Sequence, residues 1–131
     1  MSSAPRFAFT KIFVDDVDKE AAFYIAALGM NQKTRIELGE GDGALEEVIL
    51  TSGEGDGSSF ILWRYLFRTT PPPGEATMGF DVDDAEDTVR KVQANGGSIV
   101  EPIRTITEAG VAVAFVADPE GHVLEIVQNL R

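Results

Sequence analysis

There is no cysteine among the 131 residues, and histidine occurs once, as His122. The first absence excludes a disulfide framework, a thiolate metal site and a thiol nucleophile. The second excludes a HExxH zinc helix or any cluster of imidazoles. Basic residues are scarce as well: 11 Lys and Arg stand against 22 Asp and Glu, a formal net charge of −11 at pH 7. Such a field repels phosphates and anionic lipid, so neither nucleic acid nor a membrane surface is an expected partner. No apolar run approaches the ~20 residues of a bilayer span. The start Met1-Ser2-Ser3-Ala4-Pro5 lacks the basic-then-apolar order of a signal peptide, and the expected address is cytoplasmic. Glycine-rich stretches at 39–43 and 52–59 carry acidic residues and no GxxxxGK[ST] phosphate cradle, so they are expected as mobile lips.

What is present is a repeat. Val14-Asp15-Asp16-Val17-Asp18 lines up with Val82-Asp83-Asp84-Ala85-Glu86 at an offset of 68 residues. An alternating stretch precedes each copy, Phe7 to Val14 and Thr77 to Val82, as a half-buried strand requires. The acidic residues then provide an N-cap and a negative first turn, favourable at the positive end of a helix dipole. Val17, Ala21, Tyr24, Ile25 and Leu28 recur at helical spacing, and Ala85, Val89 and Val92 repeat the first three steps. Gly29 and Gly96-Gly97 are expected helix stops. Further strands are expected at about 32–38, 45–51 and 59–67, then 98–101, 111–117 and 122–128, with Pro71-Pro72-Pro73-Gly74 as a stiff joint. The fold class is therefore α+β: one domain over 1–131, built as βαβββ twice, with module 1 over about 5–68 and module 2 over about 75–130.

Asp118-Pro119-Glu120-Gly121-His122-Val123-Leu124-Glu125-Ile126-Val127-Gln128 resembles the final hairpin of the vicinal oxygen chelate superfamily, which includes glyoxalase I, bleomycin-resistance proteins and extradiol dioxygenases. Val14-Asp15-Asp16-Val17, Phe23-Tyr24 and Leu28-Gly29-Met30 resemble its opening strand and helix. The resemblance implies a curved mixed sheet of paired βαβββ modules around a cup that holds a metal or a small molecule, commonly in a dimer. It also implies four metal ligands, His, Glu or Gln, on the first and last strands of each module. Carried over, those positions fall on Phe9, Thr77, a residue near Leu62, and Glu125. Only Glu125 has a ligand-type side chain, so no resident metal and no other cofactor is expected. An oxygen-rich site rebuilt by Asp81 and Asp83 beside Glu125 is the alternative.

Residues two apart on a strand share a face. Phe9 then brings Phe7, Lys11 and Phe13 to the cup, Leu62 brings Phe60 and Arg64, and Glu125 brings Val123 and Val127. Trp63, Tyr65 and Phe67 fall on the other side, under the helices; Phe23 and Tyr24 fall in the core; His122 is expected at a hairpin surface. The candidate ligand-binding set is Phe9, Lys11, Phe13, Phe60, Leu62, Arg64, Thr77 and Glu125, with Glu125 the candidate catalytic residue. Glu125 with Arg64 or Lys11 would form a charge pair that anchors a guest in place of a metal; alternatively the two bases extend to solvent. Three function classes follow. One is a metal-free binder of a small apolar or aromatic molecule, akin to the acidic dimeric drug-sequestering members that take cationic drugs. Another is a glyoxalase-like lyase or isomerase with an irregular metal site, or with Glu125 as general base. The third is a structural or regulatory partner domain, expected only if the pocket is filled by the chain's own side chains. A homodimer is expected under the first two.

Overall fold

A computed structural model describes residues 4–53 and 59–131. The order is β1 (Phe9–Phe13), α1 (Val17–Leu28), β2 (Asn31–Leu38), a single 3-10 turn at Gly41–Gly43, β3 (Leu45–Thr51) and β4 (Ser59–Tyr65). The second round is β5 (Met78–Val82), α2 (Ala85–Ala94), β6 (Ser98–Ile106), β7 (Val111–Ala117) and β8 (Val123–Asn129). The fold is thus α+β with two βαβββ modules, each a four-stranded mixed sheet. Their orders are β1-β4-β3-β2 and β5-β8-β7-β6. In both sheets the first and last strands pair in parallel and the remaining pairs are antiparallel. The chain divides into two compact units, one comprising the residues up to Ala21 with Gly29–Thr70, the other Ala22–Leu28 with Pro71–Arg131. Among the described residues no helix is long and apolar enough to cross a membrane. Of the expected lips, 54–58 lie outside the described residues.

The capping chemistry follows the acidic residues read above. An Asp16 carboxylate oxygen accepts from the Lys19 amide at 3.0 Å, and Asp84 Oδ1 from the Asp87 amide at 3.1 Å. Each satisfies one amide that the first helical turn leaves without an internal partner. Gly29 closes α1 at φ 67° and Gly96 follows α2 at φ 96°, backbone that side chains with a Cβ resist. Strand β6 runs past the expected 98–101, through Pro102 to Ile106. It tolerates proline because it is an edge strand whose pairing with β7 is interrupted between Ile99 and Arg104.

In the first unit Ile12, Val48, Leu50 and Leu62 form the buried side of the sheet. The rim on this side is ionic: Arg35 binds Asp18 at 2.9 Å, Glu37 at 2.8 Å, and also Glu46, which in turn accepts from Arg64 at 3.1 Å. In the second unit α2 packs its buried Ala85, Val89 and Val92 against β6, β7 and β8, over Ala114, Val116, Leu124 and Ile126. Gly97 is where that packing is tightest. A Cβ there would stand 2.5 Å from the Ala117 carbonyl oxygen and 2.6 Å from Val92 Cγ1.

Two stability predictions follow from these contacts. Gly97→Ala should cost about 1–3 kcal/mol in denaturant unfolding, because neither the carbonyl nor the buried valine can yield without moving backbone. Asp18 is held below the usual carboxylate range chiefly by its hydrogen bonds to Arg35, with a partial offset from burial. A lowered folded-state value gives stability that is present above the unfolded value near pH 4 and is lost as pH falls through the folded one. Asp18→Asn should therefore cost well under about 1 kcal/mol at pH 7, since the pair is exposed, and the gap from the parent should narrow in unfolding curves taken at successively lower pH below the ordinary carboxylate range.

Candidate functional site

The parallel β1–β4 pair decides which side chains meet. Phe9 lies opposite Ser59, Lys11 opposite Ile61, and Phe13 opposite Trp63. On the next strand Glu47 lies opposite Trp63, Leu45 opposite Tyr65 and Ile49 opposite Ile61. Partners in register stand on the same face of a pleated sheet, so Phe9, Lys11, Phe13, Ile61, Trp63, Tyr65 and Glu47 share one side. This side is only partly covered. Phe9 is 50% exposed, and Phe13, Trp63 and Tyr65 are half-buried.

The rings on this side form a cluster. Phe13 stacks on Trp63 with centroids 4.8 Å apart, and Tyr65 lies 5.0 Å from Trp63 and 6.0 Å from Phe13. Lys11 is pinned among them. Its Nζ donates to Glu47 Oε1 at 3.1 Å and sits 4.4 Å above the Trp63 ring and 5.9 Å from Phe9. The Glu47 side chain is 8% exposed and that of Lys11 30%, so the carboxylate is held from below and the ammonium reaches the surface of the cluster. A buried carboxylate needs such a partner, and the Trp63 face adds a cation–π attraction.

Three expectations about this strand are corrected. Phe60 and Leu62 do not share the face of Phe9; they are 7% and 0% exposed on the opposite, buried side. Arg64 lies with them and is tied to Glu46. Trp63 and Tyr65, expected under the helices, are the residues beside Phe13 instead, while Phe67 lies beyond the end of β4 and is exposed. The reason is a single-residue slip across the loop before β4, which exchanges the two faces of the whole strand. The carboxylates that meet Lys11 and Arg64 are accordingly Glu47 and Glu46, residues without an assigned role in the sequence reading.

In the second sheet Glu125 pairs in register with Gly79 on one side and Phe115 on the other. Val123, Val127, Phe115 and Glu125 are all half-buried there. Among the described residues the Glu125 side chain makes no hydrogen bond or salt bridge. Thr77 precedes β5 and is exposed, and Asp81, two residues after Gly79 on the same face, is exposed too. The two registers also locate the counterpart of Glu125 in the first module. Gly79 corresponds to Lys11 at the repeat offset, and Lys11 pairs with Ile61 as Gly79 pairs with Glu125. The counterpart is therefore Ile61, not Leu62.

A buried polar centre lies elsewhere in the second unit. Asp118 is 3% exposed and opens the turn before β8. Its Oδ1 accepts from the amides of Glu120 and His122, each at 3.0 Å, and its Oδ2 from the Tyr24 hydroxyl at 2.7 Å. His122 Nδ1 lies 2.9 Å from Oδ2. His122 is thus in the expected turn but buried, 7% exposed, rather than at the surface. Burial of Tyr24 and Phe23 agrees with their place in the helical stripe.

The model of the Glyoxalase/Bleomycin resistance protein/Dioxygenase superfamily matches residues 6–126. The chain belongs to this superfamily. Among solved structures, a glyoxalase family protein from Bacillus cereus superposes with a TM-score of 0.86 at 19% identity, covering 99% of this chain and 97% of that one. A glyoxalase I from Leishmania major gives a TM-score of 0.76 at 24% identity over 96% and 88%. Similar sequences include a probable lactoylglutathione lyase of Vibrio parahaemolyticus, 28% identical over 95% of this chain and 91% of the relative. A lactoylglutathione lyase of Neisseria meningitidis is 27% identical with the same coverage.

The resemblance places four metal ligands on the first and last strands of the two modules. The four positions carry Phe9, Ile61, Thr77 and Glu125. In the first sheet Ile61 is 5% exposed and offers only hydrocarbon, and its register partner is the ammonium-bearing Lys11, which would repel a dication. The second sheet offers one carboxylate and one hydroxyl. Three or four nitrogen or oxygen donors are needed, so these residues do not fit the metal. Asp118 and His122 are ligand-type residues, but the Asp118 oxygens already accept from Tyr24, His122 and two backbone amides. That centre clamps α1 residues to the turn before β8. Tyr24→Phe should accordingly cost about 1.5–3 kcal/mol in chemical denaturation, the range for a hydrogen bond to a charged group, with the secondary structure unchanged by circular dichroism.

Proposed function

We propose that this chain is a metal-free binder of a small apolar or aromatic molecule, and that the molecule sits on the open face of the first sheet, against Phe9, Phe13, Trp63 and Tyr65. The observation that carries the reading is the exchange at the ligand positions: where the second module has Glu125 the first has Ile61, and around Ile61 stand rings and a lysine. A partly covered aromatic surface with one fixed polar group is the usual make-up of a small-molecule site. Glu125 stands on the half-buried face of the second sheet beside Phe115 and has the chemistry of a base. Pairing of two chains belongs to the same reading.

A second reading, a lyase or isomerase, is favoured by the names of the relatives, lactoylglutathione lyases at 27–28% identity. In it Glu125, half-buried on β8 beside Phe115, is the general base. Native mass spectrometry with elemental analysis of gently purified protein, together with an assay of turnover, separates the two. The binder reading expects zinc, nickel, iron and manganese far below one ion per chain, a mass for two chains, and retained or added aromatic compounds lost on Trp63→Ala. Turnover of lactoylglutathione that is lost on chelation of a tightly held divalent ion, or lost on Glu125→Gln in metal-free protein, would replace it with the lyase or isomerase.

A further inference from the structure

We infer that the Lys11–Glu47 pair selects an uncharged, flat aromatic compound bearing a carbonyl-type oxygen, with Lys11 Nζ donating to that oxygen; the inference rests on the binding reading above and names the class of guest. Lysine carries three N–H donors. Glu47 Oε1 takes one at 3.1 Å, and the ammonium, on a side chain 30% exposed, has donors left for a guest on the ring cluster. Its position is set beforehand. The Glu47 bond and the Trp63 ring 4.4 Å away hold it from two directions, which reduces the ordering cost that a free surface lysine would incur on binding.

Charge decides the class of acceptor. The pair is neutral as a unit, so a carboxylate guest would bring a second anion near Glu47 in a chain whose net charge is −11. A cationic guest would meet the Lys11 ammonium directly. A purely hydrocarbon guest would cover that ammonium without replacing the water bonded to it. An uncharged acceptor oxygen on a flat ring satisfies the donor and keeps the balance, while its ring contacts Phe9, Phe13, Trp63 or Tyr65. This departs from the cationic guests that overall acidity suggests, because the local charge at the rings is the lysine's.

The probes are 2-acetylnaphthalene, 2-naphthoate, 2-naphthylmethylammonium and 2-methylnaphthalene, titrated into the full chain and followed by the indole N–H resonance of Trp63, the single tryptophan. The acetyl compound should bind at least about fivefold more tightly than each of the others, as one hydrogen bond to a charged donor allows. In Lys11→Met, which keeps the apolar stem, the acetyl compound should lose its advantage, its affinity falling and that of 2-methylnaphthalene rising until the two agree within about twofold. If the single variant unfolds because Glu47 is left buried alone, Lys11→Met with Glu47→Leu removes both charges and carries the same expectation. A preference for the naphthoate or the ammonium, or an acetyl preference that survives loss of Lys11, overturns the inference and leaves the binding reading standing. No shift of Trp63 with any of the four probes ends both.

Discussion

Everything at the candidate site depends on the parallel pairing of the first and last strands in each module. Because side chains alternate with period two, the register of one such pair assigns every residue of both strands to a face. In the first module Lys11 opposite Ile61 brings Phe13 to Trp63 and turns Phe60 and Leu62 inward. In the second, Gly79 opposite Glu125 keeps that carboxylate on the open side and sends Leu124 and Ile126 into the core. The two pairings are related by the repeat, yet the chemistry they display differs: a cluster of rings with an ammonium in one, a carboxylate beside a single ring, Phe115, and valines in the other.

That difference has an energetic logic. Strand β3 carries a glutamate, Glu47, at a position that the sheet covers almost completely, and an ionised carboxylate is stable there only with a bonded counter-charge. Lys11 supplies it from two strands away and is in turn fixed over Trp63. A side chain that would otherwise extend into water becomes an oriented donor among rings. The second unit solves a comparable problem differently. Asp118 is buried but accepts from backbone amides, a tyrosine hydroxyl and an imidazole, so its charge is spread over a hydrogen-bonded turn and serves the architecture.

The repeated elements were legible in the sequence because their causes are local. The acidic caps at Asp16 and Asp84, the left-handed glycines after each helix and the helical stripe through Tyr24 all lie within a few residues of the structure they specify. The face of β4 was not legible. Its alternation is visible, but Phe60, Leu62 and Trp63, Tyr65 are both plausible inward sets, and the choice is made by pairing with β1, whose register partners lie 50 residues earlier. The burial of His122 escaped for a similar reason: its neighbours in sequence are turn residues, while one of the groups that encloses it with Asp118, Tyr24, is 94 positions from that aspartate.

The sequence alone determined the two βαβββ modules, the membership of the chain in its superfamily and the poverty of metal donors at the four inherited positions, since each rests on local pattern or residue identity. Tertiary structure alone decided which side of β4 is open, which carboxylate meets Lys11 and which residue stands in for Glu125 in the first module. Those are questions of register between distant strands, and a period-two pattern is unchanged when its phase is reversed.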